Sequence, residues 1–250
     1  MKSCLIYAHR GLSSEYLENT RSAFDRAVEI GVDGIETDVQ ISRDQVSVLW
    51  HDEHLDKIGH PAARIGELHY AQLSQLNLSD YGKTRANESG LLRLDEFLQK
   101  YSERCNLILE VKNFDWDRNG SRHAVNIDQC LGSAKRFARR WAGSLVISCF
   151  DLASLLHAHA RDPAQTLVYN IDEGFRLDQL QSALDEQDFL QGYCLPIGDL
   201  DSKARQLLAD HGKCLIVYTC NTQDQIRKAF DLAVDVLISD YPQKALELRG

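Results

Sequence analysis

Short apolar runs rich in β-branched residues alternate along the chain with longer stretches in which apolar residues recur every three or four positions. The runs predict strands at Leu5–Ala8, Gly34–Val39, Val46–Trp50, Leu107–Val111, Leu145–Cys149, Thr166–Tyr169, Gly192–Leu195, Cys214–Tyr218 and Val236–Ser239. The stretches predict helices at Thr20–Ile30, Leu94–Tyr101, Ile127–Trp141, Leu152–Ala160, Leu177–Glu186, Ser202–Asp210, Thr222–Leu232 and Gln243–Leu248. Repeated strand–helix units are typical of parallel strands joined by helical crossovers.

The number of these units favours an α/β fold of the TIM (β/α)8 barrel class. About eight units of roughly 31 residues account for the 250 residues of the chain, which is the usual size of such a barrel. A doubly wound open sheet is the alternative, and it usually carries a glycine-rich turn after the first strand. Here the first strand runs into His9-Arg10-Gly11-Leu12-Ser13, which has no second glycine nearby.

One segment, residues 52–90, departs from the alternation. Its apolar positions are only loosely ordered, at Leu68, Leu73, Leu76 and Leu78. We expect it to be a short inserted loop or subdomain, after the region of the second strand, in a single barrel domain over residues 1–250. Loops at the C-terminal ends of barrel strands carry the active site, so this insertion is expected to shape the access of substrate.

The composition narrows the class of protein. Hydrophobic residues make up 44% and charged residues 26% of the chain, which argues against a disordered protein. The 28 basic and 37 acidic residues give a net charge of −9, so the chain lacks the basic field that attracts nucleic acid. A local basic pocket for a small anion remains compatible with this balance, and the expected partner is a small molecule.

The cysteines and the apolar segments predict a cytoplasmic location. The seven cysteines are scattered and form no C-x-x-C pair, which is typical of free thiols in a reducing compartment. The apolar run at the N-terminus is too short for a signal peptide. No stretch approaches the ~20 apolar residues of a membrane-spanning helix.

Ionisable residues gather where the early strands end. They are His9 and Arg10 after the first strand, Glu36 and Asp38 in the second, His51 after Val46–Trp50, and Glu110 and Lys112 in the next. Residues two apart in a strand share a face, so Glu36 and Asp38 point to one side. We expect these side chains to meet on one rim of the barrel.

Three carboxylates on one apolar rim need compensating positive charge. Buried without it, Glu36, Asp38 and Glu110 would repel one another at a cost of several kcal/mol. A divalent cation removes this penalty, and carboxylate oxygens suit a hard ion such as Mg²⁺ or Ca²⁺. The alternative is that salt bridges from Arg10 and Lys112 neutralise the acids.

Two histidines beside this cluster indicate a hydrolytic site. Unperturbed imidazole titrates near pH ~6.5, so His9 and His51 can supply one base and one acid near neutrality. The presence of Arg10 and Lys112 is consistent with a phosphodiester substrate, because such an anion requires cationic groups to hold it.

At these positions the sequence resembles the glycerophosphodiester phosphodiesterase family of the bacterial, cytoplasmic type. The matching motifs are His9-Arg10-Gly11, Glu18-Asn19-Thr20, Glu36-Thr37-Asp38-Val39, His51-Asp52, Glu110-Val111-Lys112, Ser148-Cys149-Phe150, Tyr218-Thr219-Cys220-Asn221 and Ser239-Asp240-Tyr241-Pro242. They cover nearly the whole chain in a specific order and spacing. The resemblance implies a TIM barrel with an insertion at residues 52–90, and a metal-dependent hydrolase that releases glycerol 3-phosphate and an alcohol.

The resemblance also implies a role for each site residue. His9 and His51 would be the general acid–base pair, Glu36, Asp38 and Glu110 would hold one divalent cation, Mg²⁺ or Ca²⁺, and Arg10 and Lys112 would contact the phosphate. Candidate residues of the substrate pocket are Glu18, Asn19, Phe114, Tyr218 and Asn221. Phe114 follows Lys112 closely, and loop packing is the alternative for it. Asp240, at the end of the last strand, is expected to be a structural residue of the barrel rim.

The departures from the family pattern and the rival functions concern the substrate. Leu17 stands where the family usually has proline, Asp44-Gln45 lacks the usual glycine, and Tyr218 stands where tryptophan is common. One rival is a phospholipase D-like enzyme for lysophospholipids, which needs an apolar acyl channel. The other is a non-catalytic barrel that binds phosphates, and the presence of both histidines and all three carboxylates argues against it. Attack by the glycerol 2-hydroxyl, through a cyclic phosphate, and direct attack by water both stay open.

Overall fold

A computed structural model describes residues 4–84, 86–113, 121–137 and 143–250. Its strands are β1 (Leu5–His9), β2 (Gly34–Ile41), β3 (Ser47–Leu49), β4 (His54–Leu55), β5 (His60–Arg64), β6 (Asn106–Val111), β7 (Leu145–Cys149), β8 (Thr166–Asn170), β9 (Gly192–Pro196), β10 (Cys214–Tyr218) and β11 (Val236–Ser239). Its helices are α1 (Arg21–Glu29), α2 (Tyr70–Leu73), α3 (Leu94–Tyr101), α4 (Ser121–Phe137), α5 (Leu152–Arg161), α6 (Leu177–Glu186), α7 (Ser202–Asp210), α8 (Gln223–Asp231) and α9 (Pro242–Arg249).

Eight parallel strands close into a barrel, which confirms the predicted TIM fold. Going round the barrel, the order is β1, β2, β6, β7, β8, β9, β10 and β11, and β11 pairs with β1 to complete the ring. The register places His9 opposite Glu36 and Asp38 opposite Glu110. The first three strands of this order therefore bring four of the predicted site residues to adjacent positions at one end of the barrel.

The prediction of parallel pairing is wrong for the strand expected at Val46–Trp50. The observed strand β3 pairs antiparallel with β2, with Ser47 opposite Ile41, and it lies outside the barrel ring. The connection between the two strands is a tight turn in which Gln45 has a φ of 62°. A parallel crossover needs a dozen or more residues, so this short connection permits only a hairpin.

Two apolar layers lie on opposite faces of the barrel strands. Inside the barrel, Tyr7, Ile108 and Ile216 belong to one buried cluster. Outside it, Ile35 and Val39 pack in the larger cluster between the strands and the helices. The twofold alternation of β2 therefore turns Glu36 and Asp38 toward the barrel interior, as the sequence pattern predicts.

The helices bury one face each on the outside of the barrel. In α1, Ala23, Phe24 and Ala27 are buried, and the side chain of Thr20 caps the first turn by accepting from the backbone N–H of Ala23. In the described ranges, no helix has both the length and the apolar content required to cross a membrane.

Part of the 52–90 segment has a small hydrophobic cluster of its own. Leu55, Ile58, Ile65 and Leu73 are buried together with Trp50, which precedes the segment. Strands β4 and β5 form a separate two-stranded antiparallel sheet here, and a short 3₁₀ helix, Asp56–Ile58, joins them. The segment is thus fastened beside the barrel by apolar burial.

Candidate functional site

A cavity of about 170 Å³ opens at the end of the barrel where the strands have their carboxyl termini. Its polar lining comprises His9, Arg10, Glu36, His51, Glu110, Lys112, Ser148, Asn170 and Thr219. Active sites of TIM barrels lie at this face. The predicted acid–base, carboxylate and cationic residues thus gather around one space, with Asp38 directly beside it.

The tight turn after β1 brings Arg10 into the site. Gly11 has a φ of 83°, and a Cβ atom at this position would lie 2.6 Å from the backbone of Ala23 in α1. Only glycine fits so close to the helix in this left-handed conformation. The backbone N–H of Arg10 donates to the carbonyl of Glu36 at 2.9 Å, which ties the turn to β2.

Three carboxylates form the centre of the site. Oxygen atoms of Glu36, Asp38 and Glu110 all lie within 4.8 Å of one another. Glu36 and Asp38 are 2% and 0% exposed, so water screens their charges poorly. Asn19 donates to Asp38 Oδ2 at 2.9 Å and fixes the orientation of that carboxylate.

The two cationic residues balance only part of this negative charge. Arg10 Nε lies 3.0 Å from Asp38 Oδ2, and Lys112 Nζ lies 3.4 Å from Asp38 Oδ1 and pairs closely with Glu110. Both carboxylate oxygens of Glu36 are buried without a hydrogen-bond partner among the described residues. The salt-bridge alternative therefore accounts for Asp38 and Glu110, whereas the only cationic group paired with Glu36 among the described residues is His9, whose Nε2 lies 3.9 Å from Oε2.

The electrostatics of the two acids on β2 differ accordingly. Burial, and then the charges of Asp38 and Glu110, raise the pKa of Glu36 well above its ordinary value. Burial would also raise the pKa of Asp38, but Arg10 and Lys112 outweigh it and hold that pKa below its usual value. Of these two acids, Glu36 is therefore the one whose charged form an additional cation would stabilise more.

His9 is held by a carboxylate from the far end of the chain. Its Nδ1 lies 2.6 Å from Asp240 Oδ1, and Asn221 donates to Asp240 Oδ2 at 2.6 Å. The hydroxyl of Ser13 donates to the same carboxylate at 3.0 Å. Burial alone would raise the pKa of Asp240, but the hydrogen bond to His9 outweighs it and helps to lower this pKa to about 2.

His51 has a similar arrangement on the other side of the cavity. Its Nδ1 lies 2.5 Å from Asp52 Oδ1. A carboxylate only accepts, so Nδ1 carries the proton and Nε2 is the free nitrogen. Burial lowers the pKa of His51 below its ordinary value, and the nearby cations Lys112 and Arg10 lower it further, against the opposing charge of Asp38.

The predicted pocket residues are only partly brought to the cavity. Tyr218 lines it, whereas Asn19 contacts Asp38 and Asn221 contacts Asp240 from behind. Glu18 accepts from Arg10 Nη1 at 3.1 Å. Phe114 lies outside the described residues.

Two residues with contacts to the site received no such role in the sequence analysis. Asp240 was expected to be structural, yet it is bonded to His9; its place in the Ser239-Asp240-Tyr241-Pro242 motif was the available signal. Asn170 donates to Glu110 Oε2 at 3.0 Å from β8, and its Oδ1 is buried without a partner among the described residues. No motif in the sequence pointed to Asn170.

Comparison with known proteins identifies the family of the chain. The model of the "Glycerophosphoryl diester phosphodiesterase family" matches residues 9–244. A Bacillus altitudinis protein named glycerophosphodiester phosphodiesterase is 25% identical, over 98% of this chain and 97% of its own length. A Homo sapiens protein named lysophospholipase D GDPD1 is 42% identical, over 95% of this chain and 83% of its own length.

A solved structure shares the fold. A phosphodiesterase from Oleispira antarctica superimposes with a TM-score of 0.85 at 24% identity, over 98% of this chain and 96% of that one. The family match extends over residues 9–244, from the end of the first barrel strand to beyond the last. The chain therefore belongs to the glycerophosphoryl diester phosphodiesterase family and is an enzyme of that family.

Proposed function

We propose that the chain hydrolyses glycerophosphodiesters to glycerol 3-phosphate and an alcohol, with one divalent cation held by Glu36, Asp38 and Glu110 and with His9 and His51 as the acid–base pair. The observation that carries this proposal is the buried carboxylate of Glu36, which has no hydrogen-bond partner among the described residues and lies beside two cations and two histidines at one cavity. A phosphodiester is an anion, and its hydrolysis needs both a cationic site and proton transfer.

The carboxylates fit a hard divalent cation. Glu36 Oε1 and Oε2 and Asp38 Oδ1 are buried oxygens without hydrogen-bond partners among the described residues, and an oxygen of Glu110 lies within 4.8 Å of them. Oxygen-only donors suit Mg²⁺ or Ca²⁺. When bound, the cation would neutralise charge on a phosphate oxygen and lower the pKa of a coordinated hydroxyl.

Arg10 and Lys112 would hold the phosphate from the protein side. Lys112 Nζ lies over the ring of Phe150, 5.8 Å from its centroid, and both cations border the cavity. Burial alone would lower the pKa of Lys112, but the charges of Asp38 and Glu110 outweigh it and raise that pKa, so the ammonium stays charged. Two permanently charged donors of this kind bind and orient a phosphodiester anion.

The histidines divide the proton transfers. The lowered pKa of His51 keeps its imidazole neutral at pH 7, so Nε2 of His51 takes the proton from the attacking hydroxyl. His9 acts in its imidazolium form: it keeps the Nδ1 proton that it shares with Asp240 and donates the Nε2 proton to the leaving alkoxide, which leaves as the alcohol. Asp52 and Asp240 hold the two rings so that both Nε2 atoms stay free for these transfers.

The relatives support a glycerol phosphate product. The Oleispira antarctica phosphodiesterase was solved in complex with "the product sn-glycerol-3-phosphate". The name of the human relative favours one second candidate, cleavage of the head group from lysophospholipids. The two activities share the proposed chemistry and differ in whether an acyl chain is accommodated.

Two further assignments belong to this proposal. Residues 1–250 form one catalytic domain, with residues 52–90 as an insertion that borders the site. The location is cytoplasmic: the seven cysteines form no disulfide and six of them are buried, as expected in a reducing compartment.

The test is a panel of glycerophosphodiesters, with lysophosphatidylcholine as the comparison substrate. Each is assayed with Mg²⁺, with Ca²⁺ and after thorough chelation, and glycerol 3-phosphate and the lipid product are measured separately. We expect glycerol 3-phosphate from glycerophosphocholine with a metal present and none after chelation. Full activity after chelation contradicts the metal proposal, and cleavage of lysophosphatidylcholine alone supports the second candidate.

A further inference from the structure

Lys57 bridges two carboxylates at the edge of the candidate site. Its Nζ lies 2.9 Å from Glu18 Oε1 and 2.9 Å from Asp52 Oδ2. Glu18 follows β1, whereas Asp52 follows β3, so one ammonium group joins two separate loops. Neither the family motifs nor the proposed mechanism gives Lys57 a role.

On one side, Lys57 acts on the carboxylate that holds His51. Asp52 uses one oxygen for Lys57 and the other for His51 Nδ1, 2.5 Å away. Burial alone would raise the pKa of Asp52 and lower that of Lys57, but their partners shift both values the opposite way. Both groups are therefore charged at neutral pH, and the bridge is an ion pair.

On the other side, Lys57 is connected to the carboxylate cluster. Glu18 Oε1, which contacts Lys57, also accepts from Arg10 Nη1 at 3.1 Å. Arg10 Nε in turn lies 3.0 Å from Asp38 Oδ2. An unbroken series of contacts thus runs from Asp38 to His51, and Lys57 joins its Glu18 part to its Asp52 part.

The backbone that carries Lys57 is anchored. Lys57 lies in the 3₁₀ helix Asp56–Ile58, between Leu55 and Ile58, which are 0% and 1% exposed in the hydrophobic cluster of the 52–90 segment. Gly59 ends this helix with a φ of 80°, a conformation that glycine adopts readily. The ammonium group therefore projects toward Asp52 from a fixed support.

We propose that Lys57 is a positioning residue that holds His51, through Asp52, in register with Arg10 and the carboxylates. This inference rests on the proposed function of His51. Asp52 is 32% exposed at its side chain, so without Lys57 it has one partner and is free to turn toward water. Groups behind a catalytic residue commonly change activity by about 10- to 100-fold.

The position of Lys57 argues against direct contact with the substrate. Lys57 is not among the residues that line the cavity, and its ammonium is engaged by two carboxylates. The 52–90 segment thus supplies Lys57, the cation that positions His51 of the proposed acid–base pair.

The test compares Lys57→Met, Lys57→Arg and Lys100→Met. Lys100 is the matched control, because its side chain is 43% exposed against 40% for Lys57 and pairs with Asp25 at 2.7 Å, away from the cavity. We expect Lys57→Met to lower kcat for glycerophosphocholine about tenfold with KM within about twofold, Lys57→Arg to recover most of the loss, and Lys100→Met to match the wild type.

A double-mutant cycle separates action through Asp52 from other causes. Once Asp52→Asn has removed the charged partner, adding Lys57→Met should change kcat by less than about twofold. The proposal would be overturned if the losses in kcat of the two single variants multiplied in the double variant. It would also be overturned if Lys57→Met left kcat unchanged, whether or not KM rose.

A substrate-free measurement keeps this test independent of the proposed function. Nitrogen chemical shifts of the His51 ring report which nitrogen carries the proton. In the wild type and Lys57→Arg we expect the proton on Nδ1, and in Lys57→Met a mixture of the two tautomers. An unchanged Nδ1 signal in Lys57→Met contradicts the positioning role, whereas a wild type without hydrolase activity contradicts the proposed function alone.

Discussion

His9 and Asp240 are 231 residues apart in the chain, yet His9 Nδ1 lies 2.6 Å from Asp240 Oδ1. They meet because β1 and β11, the first and last strands of the barrel, pair side by side. Asn221 and Ser13 hold the carboxylate from two further loops. The ring of His9 therefore has one orientation, with Nε2 available to the cavity.

Asp240→Asn is predicted to reduce turnover more than binding. Because Nδ1 donates to Asp240, His9 can donate a proton from Nε2 only as an imidazolium, and asparagine lacks the negative charge that stabilises this cation. We expect kcat to fall by about 100-fold, with KM within about threefold. Asp201→Asn is the control, because Asp201 caps α7 and asparagine caps helices equally well.

Initial rates over a range of substrate concentrations separate the two constants. A fall in Asp201→Asn as large as that in Asp240→Asn would show that the effect is not specific to His9. A large rise in KM with unchanged kcat in Asp240→Asn would place Asp240 in substrate binding instead.

The raised pKa of Glu36 predicts an unusual pH dependence of stability in metal-free protein. A carboxyl with a folded pKa above its unfolded pKa stabilises the fold below the unfolded pKa, and this stability is lost as pH rises through the folded value. Chelated wild type should therefore lose stability above pH ~4.5, and Glu36→Gln should lose less.

Thermal unfolding with and without Mg²⁺ or Ca²⁺ measures this effect. Added metal should raise the melting temperature of the wild type at pH 7 to 8 and leave that of Glu36→Gln nearly unchanged. Glu29→Gln is the control, because Glu29 is 60% exposed on α1 and should respond like the wild type. Equal responses of wild type and Glu36→Gln would argue against Glu36 as a ligand.

The pH profile of activity is predicted to report on His51. A general base must be neutral, and burial lowers the pKa of His51, so the acid limb of kcat/KM should lie below pH 6.5. The hydrogen bond to Asp52 raises that pKa, so Asp52→Asn should move the limb to still lower pH. His51→Ala should lose at least about 100-fold in kcat/KM.

Rates are measured between pH 4.5 and 9 at saturating metal. His54→Ala serves as the control, because His54 bonds to Arg64 rather than to the cavity. His51 would not be the base if the acid limb of Asp52→Asn moved to higher pH, or if His51→Ala kept full activity.

Any side chain at Gly34 is predicted to destabilise the fold, because it would clash with a residue inside the barrel. A Cβ atom there would lie 2.5 Å from the ring of Tyr7, which is 2% exposed and has no room to move. Gly34→Ala should destabilise the fold by about 1–3 kcal/mol. Gly132→Ala, in α4 with the nearest atom 3.8 Å away, should stabilise it by about 0.5–1 kcal/mol. Urea unfolding measures both effects. A shift of the two midpoints in the same direction would contradict the steric explanation.

The sequence alone predicted the barrel and the inward face of β2, because strand periodicity decides which side chains share a face. It could not decide how the acids are compensated, since the distances from Arg10 and Lys112 to Asp38 and Glu110 follow from the register of β2 and β6. The lack of a hydrogen-bond partner for the buried Glu36 carboxylate among the described residues also depends on these distances and is not contained in the sequence pattern.

Contacts between distant loops were also beyond the sequence pattern. Asp240 reaches His9 only because the barrel closes, and Lys57 reaches Asp52 and Glu18 only because the segment around it packs on its own apolar cluster. Similarly, the antiparallel pairing of β3 depends on the tight turn at Gln45, whereas the apolar run that forms β3 looks like those of the barrel strands.

The pairing of β1 with β11 has a consequence for biosynthesis. As the ribosome extends the chain, β1 emerges early, but its second neighbour in the barrel is not made until residues 236–239 are added. Until then His9 has no Asp240 to orient it. A chain that stops before residue 240 therefore lacks the carboxylate that orients His9, and under the proposed mechanism it should have little hydrolytic activity.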